Sequence, residues 1–209
     1  MDGLLIDTIP AYVSAMVEAG DDVGHIVSRD YVLTLVGLLG NELEAQLRAD
    51  HGAAFPLAAY MTAVSARLGP ILNAGVPLKA GAMPLLEALT QMDMPIAIGT
   101  SMKRAEAFHH LKHCRVDHFF RTLAARDDVA RGKPHPDVYL KAMSALGVEA
   151  PDCLILEDSF NGVRAAHATG AMVIMVPDVV APTPEIAELC TGVATDLHQV
   201  AEILGRPAV

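Results

Sequence analysis

The chain has 209 residues, 52% of them hydrophobic, with a mean hydropathy of +0.35; that suits one large domain, or a domain with an inserted cap, that needs no staples. Its formal net charge of −10 argues against nucleic-acid binding, which needs clustered Lys and Arg, and no apolar run reaches the roughly 18 residues of a membrane helix. Cys114, Cys153 and Cys190 are odd in number and lack CxxC spacing, which points to reduced thiols in a cytoplasm and not to a disulfide framework.

The chain opens Met1-Asp2-Gly3-Leu4-Leu5-Ile6-Asp7-Thr8. No basic segment followed by an apolar one stands there, so no secretory leader is expected. Asp-Gly favours a turn, because Gly tolerates positive φ and Asp can bond nearby backbone N–H groups. Residues 9–75 read as helical throughout. Pro10 suits a first helical turn, and the helix runs over 11–19 to a stop at Gly20. Ser28 or Asp30 caps a second helix ending at Val36, and Gly37 and Gly40 break it. Asn41 caps a third over 42–50. A fourth runs from Phe55 towards Leu72, with a kink or break at Pro70. This block reads as a small helical bundle.

After Pro77 the pattern alternates. Helices are expected over 85–92, 103–114, 137–146, 162–169 and 197–204. Short apolar runs over 95–99, 119–124, 153–156, 172–176 and 193–194 read as buried strands. Such alternation means a parallel sheet covered by helices, and ligands of such sheets sit beyond the carboxyl ends of the strands. Thr100-Ser101, Lys133 and Glu157-Asp158 fall there. Two adjacent carboxylates suit a hard cation such as Mg²⁺. Thr100 adds a hydroxyl, Ser101 a backbone N–H, and Lys133 a compact positive charge. Together they describe a phosphoryl site, and Asp2 could exchange a proton with the leaving oxygen. A nucleophile is not among them.

Four blocks match one family: Asp2-Gly3-Leu4-Leu5-Ile6-Asp7-Thr8, Ile98-Gly99-Thr100-Ser101, Gly132-Lys133-Pro134-His135-Pro136-Asp137 and Leu156-Glu157-Asp158-Ser159-Phe160-Asn161-Gly162. Each is weak alone. In this order, with a helical block between the first two, they are specific. The chain resembles the haloacid dehalogenase superfamily, in its phosphatase and sugar-phosphate-mutase branch. The resemblance implies an α/β, Rossmann-like three-layer parallel-sheet core over 1–8 and 77–209, with an all-helical cap over 9–76. It implies Asp2 as general acid/base whose backbone carbonyl also ligates Mg²⁺. Thr100 would bind the transferring phosphoryl group together with Ser101, and Lys133 would hold nucleophile and phosphate together. Asp158 would ligate Mg²⁺, with Glu157 supporting it directly or through water. The family's reaction is attack of an aspartate on a phosphomonoester, giving an aspartyl-phosphate that water hydrolyses.

The family's nucleophile stands two residues before Asp2, upstream of Met1, and the first core strand that carries it is absent too. We expect a start codon assigned too late, at the internal Met of a D-M-D-G motif, with about 10 more residues upstream, enough for one strand. The expected function is a cytoplasmic, Mg²⁺-dependent phosphoric monoester hydrolase acting on a small phosphorylated metabolite, as a monomer or weak homodimer, with no nucleic-acid or membrane partner. Two alternatives stand beside it. One is a mutase resembling β-phosphoglucomutase; Tyr12 replaces the His that such mutases carry four residues after the Thr of the first motif, and Leu38-Leu39-Gly40 stands where they place an Arg. The other is a non-catalytic phosphoryl-binding protein beginning at Met1. His109 and His113, spaced i, i+4, read as a solvated face with His110, Lys112 and Arg115, not as a zinc site. His135 reads equally as a site-lining and as a structural residue.

Overall fold

The computed structural model describes residues 1–36, 38 and 40–205. Two compact units divide them: Thr8–Val76, and Met1–Asp7 together with the chain from Pro77 onward.

The Thr8–Val76 unit is helical, with α1 Ile9–Asp22, α2 Arg29–Thr34, α3 Asn41–His51 and α4 Leu57–Ala74. Val13, Ala15, Met16 and Ala19 of α1 are buried, as are Leu57, Tyr60, Val64 and Leu68 of α4. Spacings of three and four residues put each set on one helix face. The Tyr60 hydroxyl donates to Met16 O at 2.9 Å, which satisfies a buried polar group while its ring packs. At the surface Arg67 donates to Asp22 and Glu18 at 2.6 Å each. Ser28 caps α2, its Oγ accepting from the Tyr31 N–H at 3.2 Å, and that helix ends at Thr34, two residues short of expectation. Gly37 and Leu39, which entered the mutase comparison, lie outside the described residues.

One expectation is corrected in this unit, and one of two readings is decided. α1 does not stop at Gly20 but runs to Asp22. A Cβ on Gly20 would stand 2.6 Å from His25 O and 2.9 Å from Val27 Cγ2, so glycine is required by the returning chain, not by a helix end. Pro70 lies inside α4 and does not break it. The buried stripe from Leu57 to Leu68 precedes Pro70 and anchors the helix, so the one backbone bond that proline forfeits is tolerated. Helix propensity alone would make Gly20→Ala stabilising by about 1 kcal/mol. The overlap with His25 reverses the sign, and a loss of about 1–3 kcal/mol is expected, measurable by thermal or urea unfolding.

In the other unit the opening residues close on themselves. Met1 O accepts from Leu5 N and Ile6 N at 2.8 and 3.1 Å, and Gly3 N donates to Ile6 O at 2.9 Å. Gly3 takes φ +72°, so Asp2-Gly3 forms the turn that its residue types favour. Asp7 N then donates to Pro77 O, and Lys79 N to Leu5 O, both at 2.9 Å. There follow α5 Ala82–Gln91, β1 Ala97–Gly99, α6 Arg104–His113, β2 Thr122–Ala124, α7 Asp137–Leu146, β3 Leu154–Glu157, α8 Phe160–His167, β4 Met172–Met175, α9 Pro184–Glu188, β5 Gly192–Val193 and α10 Leu197–Gly205. Only α9 was not expected. Its start was legible, because Thr183 Oγ1 accepts from Ile186 N at 3.3 Å and Pro184 opens the first turn.

All named strand pairs are parallel. They form two pieces, β1-β2 and β3-β4-β5. One buried cluster joins Ala124 of β2, Val138 and Tyr139 of α7, Ile155 of β3, Val163 of α8 and Val173 of β4. The core is therefore common to both pieces. Their strands are three and four residues long or shorter, and every connection between paired strands carries a helix. This is the α/β fold with parallel strands that the alternating pattern implies.

Candidate active site

Each polar group of the site follows a strand. Thr100 comes directly after β1 and is held there by its N–H, which donates to Ala124 O at 3.0 Å. It is 3% exposed. Its Oγ1 accepts from Met102 N at 3.1 Å, which leaves the hydroxyl proton free to be donated. Ser101 is exposed. Lys133 lies in the loop before α7. Its Nζ donates to Gly99 O at 3.3 Å and to Glu157 Oε1 at 2.5 Å, and it stands 4.7 Å over the Tyr139 ring. The ammonium thus ties the carboxyl end of β1 to that of β3, the two sheet pieces that share no strand pairing.

Glu157 ends β3 and is 3% exposed. Its Oε1 accepts from Lys133 and from the Tyr139 hydroxyl. Its Oε2 accepts from Asp158 N at 3.1 Å, Ser159 N at 3.3 Å and Ser159 Oγ at 3.1 Å. Burial alone would push this carboxyl up; the adjacent Lys133 charge and the donors around it outweigh burial and hold it below its ordinary value. Gly162 is dictated by the same carboxylate, since a Cβ there would overlap it. Ser159 Oγ also accepts from Gly162 N at 3.2 Å, capping α8.

Asp158 has the opposite environment. Burial first, and then the charge of Glu157, raise its carboxyl above the ordinary value. The opening turn lies against it: a Cβ on Gly3 would overlap Asp158 Oδ2. Asp2 Oδ1 is buried without a hydrogen-bond partner. The structure therefore brings Asp2-Gly3 to Asp158, Asp158 to Glu157, and Glu157 through Lys133 to Gly99-Thr100.

The cation reading divides on this geometry. The partly buried Asp158 carboxylate and the bare backbone of Gly3 beside it fit a hard cation that prefers carboxylate, carbonyl and water oxygens. Glu157 does not fit as a direct ligand, because both of its oxygens are already taken by protein donors. Among the described residues no group of three or more His, Cys, Asp or Glu side chains could hold a metal by itself. A cation here would complete its shell with backbone, water or phosphate oxygens.

Two histidine expectations are resolved. His109 and His113 are exposed, but His110 is 4% exposed, not part of a solvated face. Its Nδ1 has no partner, and burial lowers its pKa. It lies three residues from Ala107 and one from Leu111, both buried, so the inner stripe of α6 carries it in. His135 is exposed. Sequence reasoning missed Tyr139, Lys79 and Asp178. Tyr139 was hidden because its helical position looks like ordinary core. Lys79 donates to Asp178 Oδ1 at 2.6 Å and approaches Asp7 at 3.5 Å. Asp178 had a usable signal, because Val176-Pro177-Asp178 directly follows β4, on the edge where ligands of parallel sheets bind.

Parallel strands whose carboxyl ends converge on a hydroxyl, an ammonium and carboxylates define an α/β core with a polar site at its strand ends. The chain belongs to the haloacid dehalogenase-like hydrolases, a family matched by residues 1–176. It is 41% identical over 112 residues to the plasmid protein CbbY of Cupriavidus necator, a match spanning 52% of this chain and 42% of that relative. It is 28% identical to fructose-1-phosphate phosphatase YqaB of Escherichia coli, over 81% of this chain and 89% of the relative. Among solved structures it is similar to CbbY from Rhodobacter sphaeroides in complex with phosphate, with a TM-score of 0.74 and 25% identity, covering 96% of this chain and 93% of that one. Among the described residues no helix is long and apolar enough to cross a membrane.

Proposed function

We propose that this chain belongs to a cytoplasmic phosphatase that hydrolyses the phosphomonoester of a small phosphorylated metabolite, of the sugar-phosphate class, in a site that takes Mg²⁺. The observation that carries the reading is the Lys133 ammonium between Gly99 O and Glu157, which sets a positive charge beside Thr100 and Asp158. The similarity to a sugar-phosphate phosphatase and to a phosphate-bound relative supports it. Tyr12 in place of the mutase His favours hydrolysis over transfer to a second sugar hydroxyl.

Thr100 and the Ser101 N–H orient the phosphoryl oxygens, and Lys133 offsets their charge. Glu157 holds Lys133 in place, so it positions the site without touching the substrate. Asp2 gives its proton to the leaving alkoxide and later takes one from water. A carboxylate two residues before Asp2 is the nucleophile in this reading. Asp158, with the backbone beside Gly3, would hold the cation, which when bound supplies further charge stabilisation to the phosphoryl group. The helical Thr8–Val76 unit serves as the cap that selects the rest of the substrate.

The test is release of inorganic phosphate from p-nitrophenyl phosphate and a panel of sugar phosphates, by the protein extended upstream to include that carboxylate. Chelation of Mg²⁺ is expected to abolish turnover. Asp2→Asn is expected to lower it about 10²–10⁴-fold, the range for loss of a general acid/base. Turnover that survives both changes sinks the proposal.

A further inference from the structure

Tyr139 is buried in the site, yet its hydroxyl takes no part in the proposed reaction. Its ring lies under the Lys133 ammonium at 4.7 Å. The same ring packs against the end of β1, since a Cβ on Gly99 would stand 2.8 Å from its Cδ1 and Cε1. These contacts fix where the phenol sits. Its hydroxyl donates to Glu157 Oε1, the oxygen that also accepts from Lys133 Nζ. Burial, and then the Glu157 charge, hold the phenol well above its ordinary pKa, so it stays a donor.

A carboxylate offers about four lone-pair sites. On Glu157, Oε2 accepts from Asp158 N, Ser159 N and Ser159 Oγ, and Oε1 from Lys133 and Tyr139. Both oxygens are therefore full. The Lys133 ammonium has about three N–H groups to place. One goes to Glu157 and one to Gly99 O at 3.3 Å, which leaves one for a ligand. Without the phenol, Oε1 would hold a vacant lone pair in a buried place. Lys133 is the donor already at that oxygen, so its ammonium would be drawn onto it. We propose that Tyr139 is a positioning residue for Lys133: its hydroxyl occupies the second lone pair of Glu157 Oε1, so that the ammonium gives that carboxylate one proton and keeps another for a phosphoryl oxygen. The inference rests on Lys133 facing a phosphoryl group, as in the function proposed above. A neutral donor suits this task, because it limits the pull of Glu157 without adding a charge to the site.

The test is calorimetric binding of inorganic phosphate, with Mg²⁺ present, to the 209-residue protein as wild type, Tyr139→Phe, Lys133→Met and the double variant. Tyr139→Phe keeps the ring under Lys133 and removes only the hydroxyl. It is expected to weaken phosphate about tenfold, the lower end for one hydrogen bond to a charged group, while Tm moves by no more than about 4 °C. In the Lys133→Met background the same change is expected to alter phosphate affinity by less than about twofold, because the hydroxyl acts through Lys133. A tenfold loss in that background as well overturns the inference. So does a loss of affinity in Tyr139→Phe that comes with a larger fall in Tm, which marks a general loosening of the site. If wild type binds phosphate and Tyr139→Phe binds it equally, the inference falls and the proposed function stands. If wild type binds no phosphate, the phosphoryl reading of the site fails and takes this inference with it. Should Lys133→Met not fold, the affinity and Tm of Tyr139→Phe decide by themselves.

Discussion

Glu157→Ala is expected to destabilise the protein by about 3–5 kcal/mol, the range for removing one partner of a buried ion pair. For a chain of this size that is a fall in Tm of roughly 10 °C, read by calorimetry or circular dichroism. The size follows from what is left behind. Lys133, whose side chain is 9% exposed, would lose its only carboxylate contact among the described residues. The Tyr139 hydroxyl and the N–H groups of Asp158 and Ser159 would lose their acceptor as well. A double variant, Lys133→Met with Glu157→Gln, removes both charges and should recover part of the loss, because the penalty of a lone buried charge disappears. If Glu157→Ala instead costs less than about 1 kcal/mol, the hub role assigned to Glu157 is wrong.

The same residue sets a pH dependence. Its folded carboxyl is held below the ordinary value of 4.5. Its contribution is therefore complete above pH 4.5 and is lost as pH falls below that towards the folded pKa. The gap in stability between wild type and Glu157→Ala should accordingly narrow on acidification below about pH 4.5 and stay constant above it. Urea unfolding of both proteins across pH 3–7 measures this directly.

Extension of the chain upstream by one strand ending in an aspartate two residues before Asp2 is expected to raise phosphatase turnover by at least about 10³-fold over the 209-residue protein. Among the described residues, Thr100 is placed to bind and Lys133 to offset charge, but neither replaces a carboxylate nucleophile. Lys133 is committed to Gly99 O and Glu157, and Asp158 lies on the side assigned to the cation. Removing a nucleophile from a covalent mechanism leaves only binding and electrostatic stabilisation, a loss comparable to about 10⁴–10⁶ in well-studied hydrolases. The extended protein should trap a phosphorylated aspartate with beryllofluoride or on rapid acid quench, and an Asn at that position should abolish both the trap and the turnover. Equal turnover by the 209-residue protein and the extended one would refute the assignment.

Much of the core was legible because its signals are local. Short apolar runs bounded by Gly and Pro marked β1, β3 and β4, and Pro136 and Gly147 bracketed α7 to the residue. Gly20 misled because its local meaning, a helix end, was overridden by packing: His25 returns against it. At Pro70, where a kink or a break was expected, the stripe from Leu57 to Leu68 carries α4 through without a break. His110 misled because three neighbouring polar residues masked a buried helical position.

What the amino-acid sequence determined by itself was the inventory of the chemistry: a hydroxyl, an ammonium and acids, each at the end of an apolar run, in an order that one family shares. Such groups can be read because a parallel sheet exposes the residue following each strand. The division of labour among the acids was decided only by tertiary structure. Glu157 and Asp158 are neighbours in the chain, yet burial beside Lys133 and Tyr139 ties up the first, while the second lies against the bare turn at Gly3. Asp178, whose Oδ2 lies 3.3 Å from where a Cβ on Gly3 would stand, follows another strand. No spacing along the chain encodes that approach, because it depends on where a strand end and the opening turn meet in space.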